Sequence, residues 1–424
     1  MKRDIAYITI EAQTPLKVGT KESSFFIDSP VQKDWNALPM ILGSSIAGVL
    51  RSSFEKKEAE RIFGKEEGSK VIFSNALLVI NDKDEVCEEL LLKDSEFISY
   101  FKTLPVREHT AIDDKGVAKE HSKFDEEIVY KGSRFKFLVE MIDDKESFEK
   151  LLELLQRDDF RLGGGSTKGF GKFKVIKIES KSIESAKEYL NYTSSLNSKN
   201  IDKELELNRV KSDRYTTYTL KITPENFFMF GSGFGDEDAD MTPIYEKVID
   251  YKKMKLSQKK ILIPASSIKG ALAHRTAFYY NKAMGATIEN SKGKIGEDND
   301  AVREIFGHKK ELEDDKELGQ KGKVLFSDCY KDKKENSTKV FDHVMIDRFT
   351  GGAKDGALFQ EKTVTSEDEW EIEILLENSV DEKYRNSFEK AMKDIVNGML
   401  PLGGATTKGH GVFIGKLYKD GEEI

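Results

Sequence analysis

Asp28 ends an apolar run, Phe25-Phe26-Ile27, and is followed by Ser29-Pro30-Val31. An Asp before Ser-Pro is a ready turn former, because its carboxylate can bond backbone two residues on. The other use of a lone carboxylate is chemical. Beside a nucleic-acid backbone it can hold a hydrated divalent ion such as magnesium or manganese, which keeps most of its waters and needs few protein ligands. Further on, Asp240-Met241-Thr242-Pro243-Ile244 echoes the first segment with one extra residue, which makes Asp240 its counterpart. Asp236, Asp238 and Asp250 compete for that place.

Two glycine-rich loops could meet an anion. LGGGSTKGFGKF at residues 162–173 is matched by LGGATTKGHGVF at 402–413. Backbone N–H groups freed by Gly163 and Gly164, or by Gly403 and Gly404, can approach a phosphate, and Lys168 and Lys408 add charge. Neither loop has the spacing of an ATP-binding loop. KGFGKFKV approaches the RNA-recognition pattern, but Lys172 stands where an aromatic is required, and copy two has His410 for the first aromatic. A tight turn between helix and strand is the plainer use. The third pair is GSSIAGVLR (43–51) and ASSIKGALAHR (265–275). Ser44, Ser45, Ser266 and Ser267 at a helix start would offer N–H donors and a favourable dipole to a phosphate, with Arg51 and Arg275 about two turns on. Ordinary capping, with Ser44 and Ser266 as N-caps, is the alternative. The six histidines show no zinc-site spacing, so His109 and His343 are expected in a solvated surface or loop.

These pairs belong to an internal duplication. RIFG (61–64) matches REIFG (303–307), VIFSNA (71–76) matches VLFSDC (324–329), and residues 112–129 resemble 346–364. All matches fall in the same order, which chance rarely produces. Each copy opens with an alternating strand (Ile8, Ile10, Ala12; Leu220, Ile222) and continues with a helix striped by Ile46, Val49, Leu50 and Phe54, or by Ile268, Leu272 and Tyr279. A second helix carries Phe148, Leu151, Leu152 and Leu155, or Phe388, Met392, Ile395 and Met399, before the glycine loop and a closing strand. Strand, helix, strands, helix, strand is the ferredoxin-like order of an α+β domain. We expect one domain over 1–176, a polar linker with one short helix over 177–213, and a second domain over 214–424.

Composition sets the outer limits. At 424 residues the chain is too long for one core, and no apolar stretch reaches membrane-spanning length. The opening strand-like residues lack the apolar core of a secretion signal, and the two cysteines fit a reducing cytoplasm. A formal net charge of −8 weighs against nucleic-acid binding unless a local basic groove exists.

Taken together, D-S-P-V, G-S-S-I-x-G-x-L-R, the I-D…E segment and L-G-G-G-S-x-K-G-F-G resemble the repeat-associated mysterious proteins, the RAMP superfamily. The likeness is to backbone subunits of type III CRISPR effectors, and two modules in one chain look like the fused subunits of type III-D-like systems. The resemblance implies two tandem ferredoxin-like (RRM-like) domains that stack along a guide RNA. It implies thumb hairpins near 105–128 and 340–363 that kink the guide–target duplex. It further implies metal-dependent cleavage of a single-stranded target RNA at Asp28 and, less directly, Asp240. Partners would be the guide RNA, the target, other RAMP subunits, and the large and small effector subunits, with no membrane. A silent backbone and a metal-independent, His-based guide-processing endoribonuclease are the alternatives. Two departures stand out: Ala47 where the family places Lys, a place Lys269 keeps in copy two, and a longer hairpin between Asp240 and Pro264.

Overall fold

The computed structural model describes the chain except residues 1, 21–26, 67, 91–93, 114–116, 200, 287–294, 314–315 and 336; for 297, 309–313 and 316–318 it describes backbone alone. Both halves run through the same elements. The first has β1 (Arg3–Ala12), α1 (Gly43–Arg51), β2 (Val71–Phe73), β3 (Val106–Ile112), β4 (Ala118–Glu127), β5 (Arg134–Ile142), α2 (Lys145–Leu155) and β6 (Phe173–Ile183). The second has β7 (Tyr215–Pro224), α3 (Ala265–Ala283), β8 (Val324–Phe326), β9 (Thr338–Ile346), β10 (Ala353–Val364), β11 (Trp370–Glu377), α4 (Glu382–Val396) and β12 (Phe413–Lys419).

The opening strand of each half lies inside its sheet. β1 pairs antiparallel with β5 and β6, and β2 pairs with β5. β7 pairs likewise with β11 and β12, and β8 with β11. Both sheets therefore place the strand after the first helix at one side and the closing strand at the other. The intervening hairpins, β3–β4 and β9–β10, pair only within themselves. They leave the sheet as two-stranded arms.

Amphipathic sequence explains the layers. β7 alternates strictly between buried and half-buried residues, as a one-sided strand must. β1 was expected to alternate too, with Thr9 and Glu11 outward, but Thr9 is buried and donates to Asp84. Its second face is covered, partly by the segment 177–213. That segment was expected as a polar linker; β6 instead runs through to Ile183, Leu196 joins the first core, and Tyr7 Oη donates to Tyr192 Oη at 3.1 Å. The helices bury the expected stripes against the sheets, each fully buried Leu, Ile or Phe contributing about 1.5–3 kcal/mol. Val49 and Tyr279 are only half-buried, Phe54 is buried but lies beyond the end of α1, and Met399 lies beyond the end of α4 and is exposed.

The halves are not separate beads. Ile249 and Tyr251 of the second half are buried in the first core, and Tyr251 Oη donates to Val79 O at 2.8 Å. Gly132 has φ +88° and passes so close that a Cβ there would sit 2.3 Å from Ile249 O. Among the described residues no helix is long and apolar enough to cross a membrane.

Candidate nucleic-acid interface

Asp28 and Asp240 occupy the same place in their halves. Asp28 Oδ2 accepts from the backbone N–H of Asp125 at 3.0 Å; Asp240 Oδ2 accepts from that of Gln360 at 2.8 Å. The next residue in each case, Ser29 or Met241, bridges in parallel to Glu126 or Glu361 on the returning strand of the hairpin. Both carboxylates are exposed and stand at the foot of an arm. The other acids do not share this setting. Asp236 and Asp238 both accept from Lys362 Nζ, and Asp250 caps a turn by accepting from Lys252 N and Lys253 N.

Behind each Asp lies a constellation that the residue types alone did not reveal. Glu126 is buried, with Lys17 Nζ bonded to Oε1, His109 Nε2 3.2 Å from Oε2 and Lys168 Nζ 3.9 Å from Oε1. Glu361 is buried likewise, with His343 Nε2 at 3.2 Å, Lys408 Nζ at 3.1 Å and His410 Nε2 at 3.9 Å. His109 stacks on Phe124 and His343 on Phe359, while Lys168 and Lys408 sit 4.6 and 4.7 Å from those same rings. His109 and His343 were expected in a solvated surface or loop. The side chain of His109 is only 9% exposed and that of His343 26%, because each is drawn to a buried carboxylate. The repeat held the signal: each His precedes an Ile-Asp, and each Glu follows a Phe by two residues.

Burial pushes the Glu126 carboxyl up, yet the close approach of His109, the hydrogen bond from Lys17 and the charge of Lys168 outweigh it and hold it at about 2. That is below the value of about 4.3 in an unfolded chain. Ionised Glu126 therefore adds stability that is complete above the unfolded value and is lost as pH falls toward 2. Acidifying from about pH 5 to about pH 2 should loosen the root of the first arm, seen as faster amide exchange at residues 125–127. A Glu126→Gln protein should be loose there at pH 5 already; equal protection in the two proteins at pH 5 would refute the role.

The glycine loops are turns that hold this lysine in place. Gly163 and Gly403 have φ +81° and +91°, and a Cβ would lie 2.3 and 2.4 Å from Lys17 O and Met229 O. Gly164 N and Gly404 N donate to those same carbonyls at 2.8 and 2.7 Å. Gly164 itself has no left-handed φ, and its added Cβ would meet nothing nearer than 3.8 Å. Bulk at 164 would therefore test approach from outside rather than strain of the turn.

The helix starts differ from expectation. Ser44 and Ser266 are not N-caps: the N-cap positions lie two residues earlier, at Leu42 and Pro264, and neither helix has a side-chain cap from its own segment. Asn75 Oδ1 accepts from Gly43 N at 2.9 Å and Asp328 Oδ1 from Ala265 N at 2.8 Å, so the caps come from the loop after β2 or β8. Ser44 is left exposed, and Ser45, Ser266 and Ser267 half-buried. Lys269 Nζ donates to Thr167 Oγ1 at 3.3 Å, which joins the second helix start to the first glycine loop. Arg51 is exposed, and Arg275 bonds Asp394 of α4, away from the helix start.

Among the described residues no group of three or more His, Cys, Asp or Glu could enclose a metal. One exposed carboxylate per copy, with one oxygen fixed by a backbone N–H, still fits an ion that keeps its waters and takes further oxygens from a nucleic acid.

Comparison with known proteins agrees with the duplication. The RAMP superfamily matches residues 9–174 and again 246–414. The chain is also 29% identical over 235 residues, 48% of its own length and 90% of the other, to the CRISPR system Cms endoribonuclease Csm3 of Methanocaldococcus jannaschii. That relative is thus about the size of one copy. With two matched segments, two like sheets, two like arms and two like carboxylates, the chain belongs to the RAMP superfamily and carries its domain twice.

Proposed function

We propose that the chain is a double backbone subunit of a type III CRISPR effector, of the type III-D-like kind, which holds a guide RNA and cleaves the paired target RNA at two places. The observation that carries this reading is the matched setting of Asp28 and Asp240, each held by a backbone N–H at the foot of an arm. The endoribonuclease named above supports the chemistry. The sheet orders support the ferredoxin-like reading of both domains, and the arms that leave the sheets support their reading as thumbs.

RNA cleavage by the neighbouring 2′-hydroxyl requires that oxygen in line with the departing 5′-oxygen, which a regular duplex forbids. An arm inserted into the guide–target duplex would kink it beside the Asp and allow that alignment. The 2′-hydroxyl would lose its proton to solvent and its oxygen bond to phosphorus as the bond to the 5′-oxygen breaks and that oxygen takes a proton from solvent, leaving a 2′,3′-cyclic phosphate and a 5′-hydroxyl. A magnesium or manganese ion anchored by Asp28 or Asp240 would stabilise charge developing on the phosphate. Target sequence would be read by the guide, leaving the protein to hold backbone. The ends of the double unit would meet other RAMP subunits, with the large and small effector subunits alongside. A His-based, metal-free reaction has less support, since His109 is enclosed and faces Glu126.

Phosphate contact is assigned to Lys168 and Lys408, beside which Gly163, Gly164, Gly403 and Gly404 allow close approach although Gly164 N and Gly404 N already donate within the turn, and to the helix starts at Ser44, Ser45, Ser266, Ser267 and Lys269. Lys168 and Lys408 are 35% and 40% exposed, so each can turn a proton outward while facing its Glu. Replacing both by Ala should weaken guide retention regardless of RNA sequence. Each lost contact should flatten the salt dependence by about 0.7 in log K per log salt. Titration of guide-length RNA at several salt concentrations checks this; an unchanged slope would reduce the loops to turns.

A further inference from the structure

The two copies meet through a charged lock. Arg107, near the foot of β3, is buried; its Nη1 donates to Asp328 Oδ2 and its Nε to Glu246 Oε1, both at 2.8 Å. Tyr330 Oη donates to Glu246 Oε2 at 2.7 Å. Burial lowers the proton affinity of the guanidinium, but Asp328 and Glu246 outweigh it and hold it well above its usual range. Asp328 is pushed up by burial and by Glu246 against the pull of Arg107, as expected where two carboxylates share one cation. Lys123 on β4 adds a contact 5.5 Å from the ring of Phe234.

The duplication shows what stands at the same places on the outer faces. His109 and His343 are equivalent, so Phe341 stands where Arg107 does. Asn75 bonds Gly43 N as Asp328 bonds Ala265 N, so the exposed Asn75 matches Asp328, while Leu77, at the place of Tyr330, is buried in the first core. Leu358 and Val344, both exposed, replace Lys123 and Thr110 on the second arm. The inner joint is ionic; the second arm lacks its arginine, and the outer face of copy one lacks the carboxylate of Asp328 while keeping an acid, Asp34, at the place of Glu246.

We propose that this joint sorts neighbours by charge. The arm of copy one accepts a face bearing the Asp328–Glu246 pair. The arm of copy two fits a domain of the same fold that is uncharged where Asp328 stands, as copy one is at Asn75. Mismatched pairings would bury Arg107 without a carboxylate, or Asp328 without a cation, and such unpaired charges are rejected strongly. The inference rests on reading the chain as one stretch of a longer backbone.

A double-mutant cycle on the full chain tests it, with Asn75→Asp and Phe341→Arg recreating the lock on the two outer faces. Self-association of the wild type, both single variants and the double variant is measured by sedimentation equilibrium. The double variant should associate at least about tenfold more tightly than either single, with part of the gain lost in high salt. No coupling, or no association in any of the four proteins, would overturn the proposal. Guide-RNA binding by the wild type is measured alongside and separates the two readings. Coupling without RNA binding would sink the proposed function and leave the sorting, whereas RNA binding without coupling would do the reverse.

Discussion

Asp28→Ala should abolish one product of target-RNA cleavage and Asp240→Ala another, each by about 10²–10³-fold, the loss expected when a group stabilising transition-state charge is removed. Assembly should survive, because both side chains are exposed and each makes one backbone hydrogen bond worth about 0.5–1.5 kcal/mol. Asn in place of Asp separates the roles: it keeps an oxygen for Asp125 N or Gln360 N but gives up the charge that would anchor an ion. Asn variants should therefore fold and assemble like the wild type and cleave like the Ala variants. The products are resolved on a denaturing gel from assembled complex with magnesium, with a chelator lane as control. Full cleavage by Asp28→Asn would end the metal-anchor assignment. Two undiminished products from Asp240→Asn would return the second site to Asp236, Asp238 or Asp250, whereas a wild type giving only the product that Asp28→Asn removes would mean a silent second site.

How much of this was legible beforehand depended on whether a feature was repeated. The duplication exposed both Asp positions, both arms and the element order, because each appears twice with its neighbours in register. It could also have exposed the His–Glu–Lys constellation, since His109 and His343 align as cleanly as the glycine loops do. Histidines were judged by metal spacing, which cannot register an imidazole facing a buried carboxylate across a hairpin. The helix caps were missed for a related reason. Serines at a helix start suggest local capping, but Asn75 and Asp328 reach Gly43 and Ala265 from strand ends far along the chain. Polar composition gave the one short helix in 177–213, seen at Ala186–Leu190, but not that Tyr192 bonds Tyr7 and Leu196 joins the first core. Arg107 lay beyond reach altogether: comparison of the copies discards a position that is Arg in one and Phe341 in the other.

That unrepeated arginine carries the largest expected effect on stability. Arg107→Ala removes the guanidinium that Asp328 and Glu246 both bond and leaves two carboxylates in a largely buried joint, a change that typically costs about 3–5 kcal/mol. A chain with two cores need not unfold in one step, so the readout is the shape of the melt rather than a single midpoint. Ile249 and Tyr251 lie in the first core, and Arg107 reaches into the second half, so the wild-type halves should unfold together. Arg107→Ala should uncouple them and split the calorimetric transition. Arg107→Met keeps most of the stem and should do the same, which assigns the loss to charge rather than volume. Adding Asp328→Asn and Glu246→Gln to the Met variant should restore most of the coupling, because no charge is then stranded. The Asn is tolerable at 328 on the protein's own evidence: Asn75 caps α1 in copy one through the same bond that Asp328 makes to α3. A single unshifted transition for Arg107→Met would show that packing alone joins the copies.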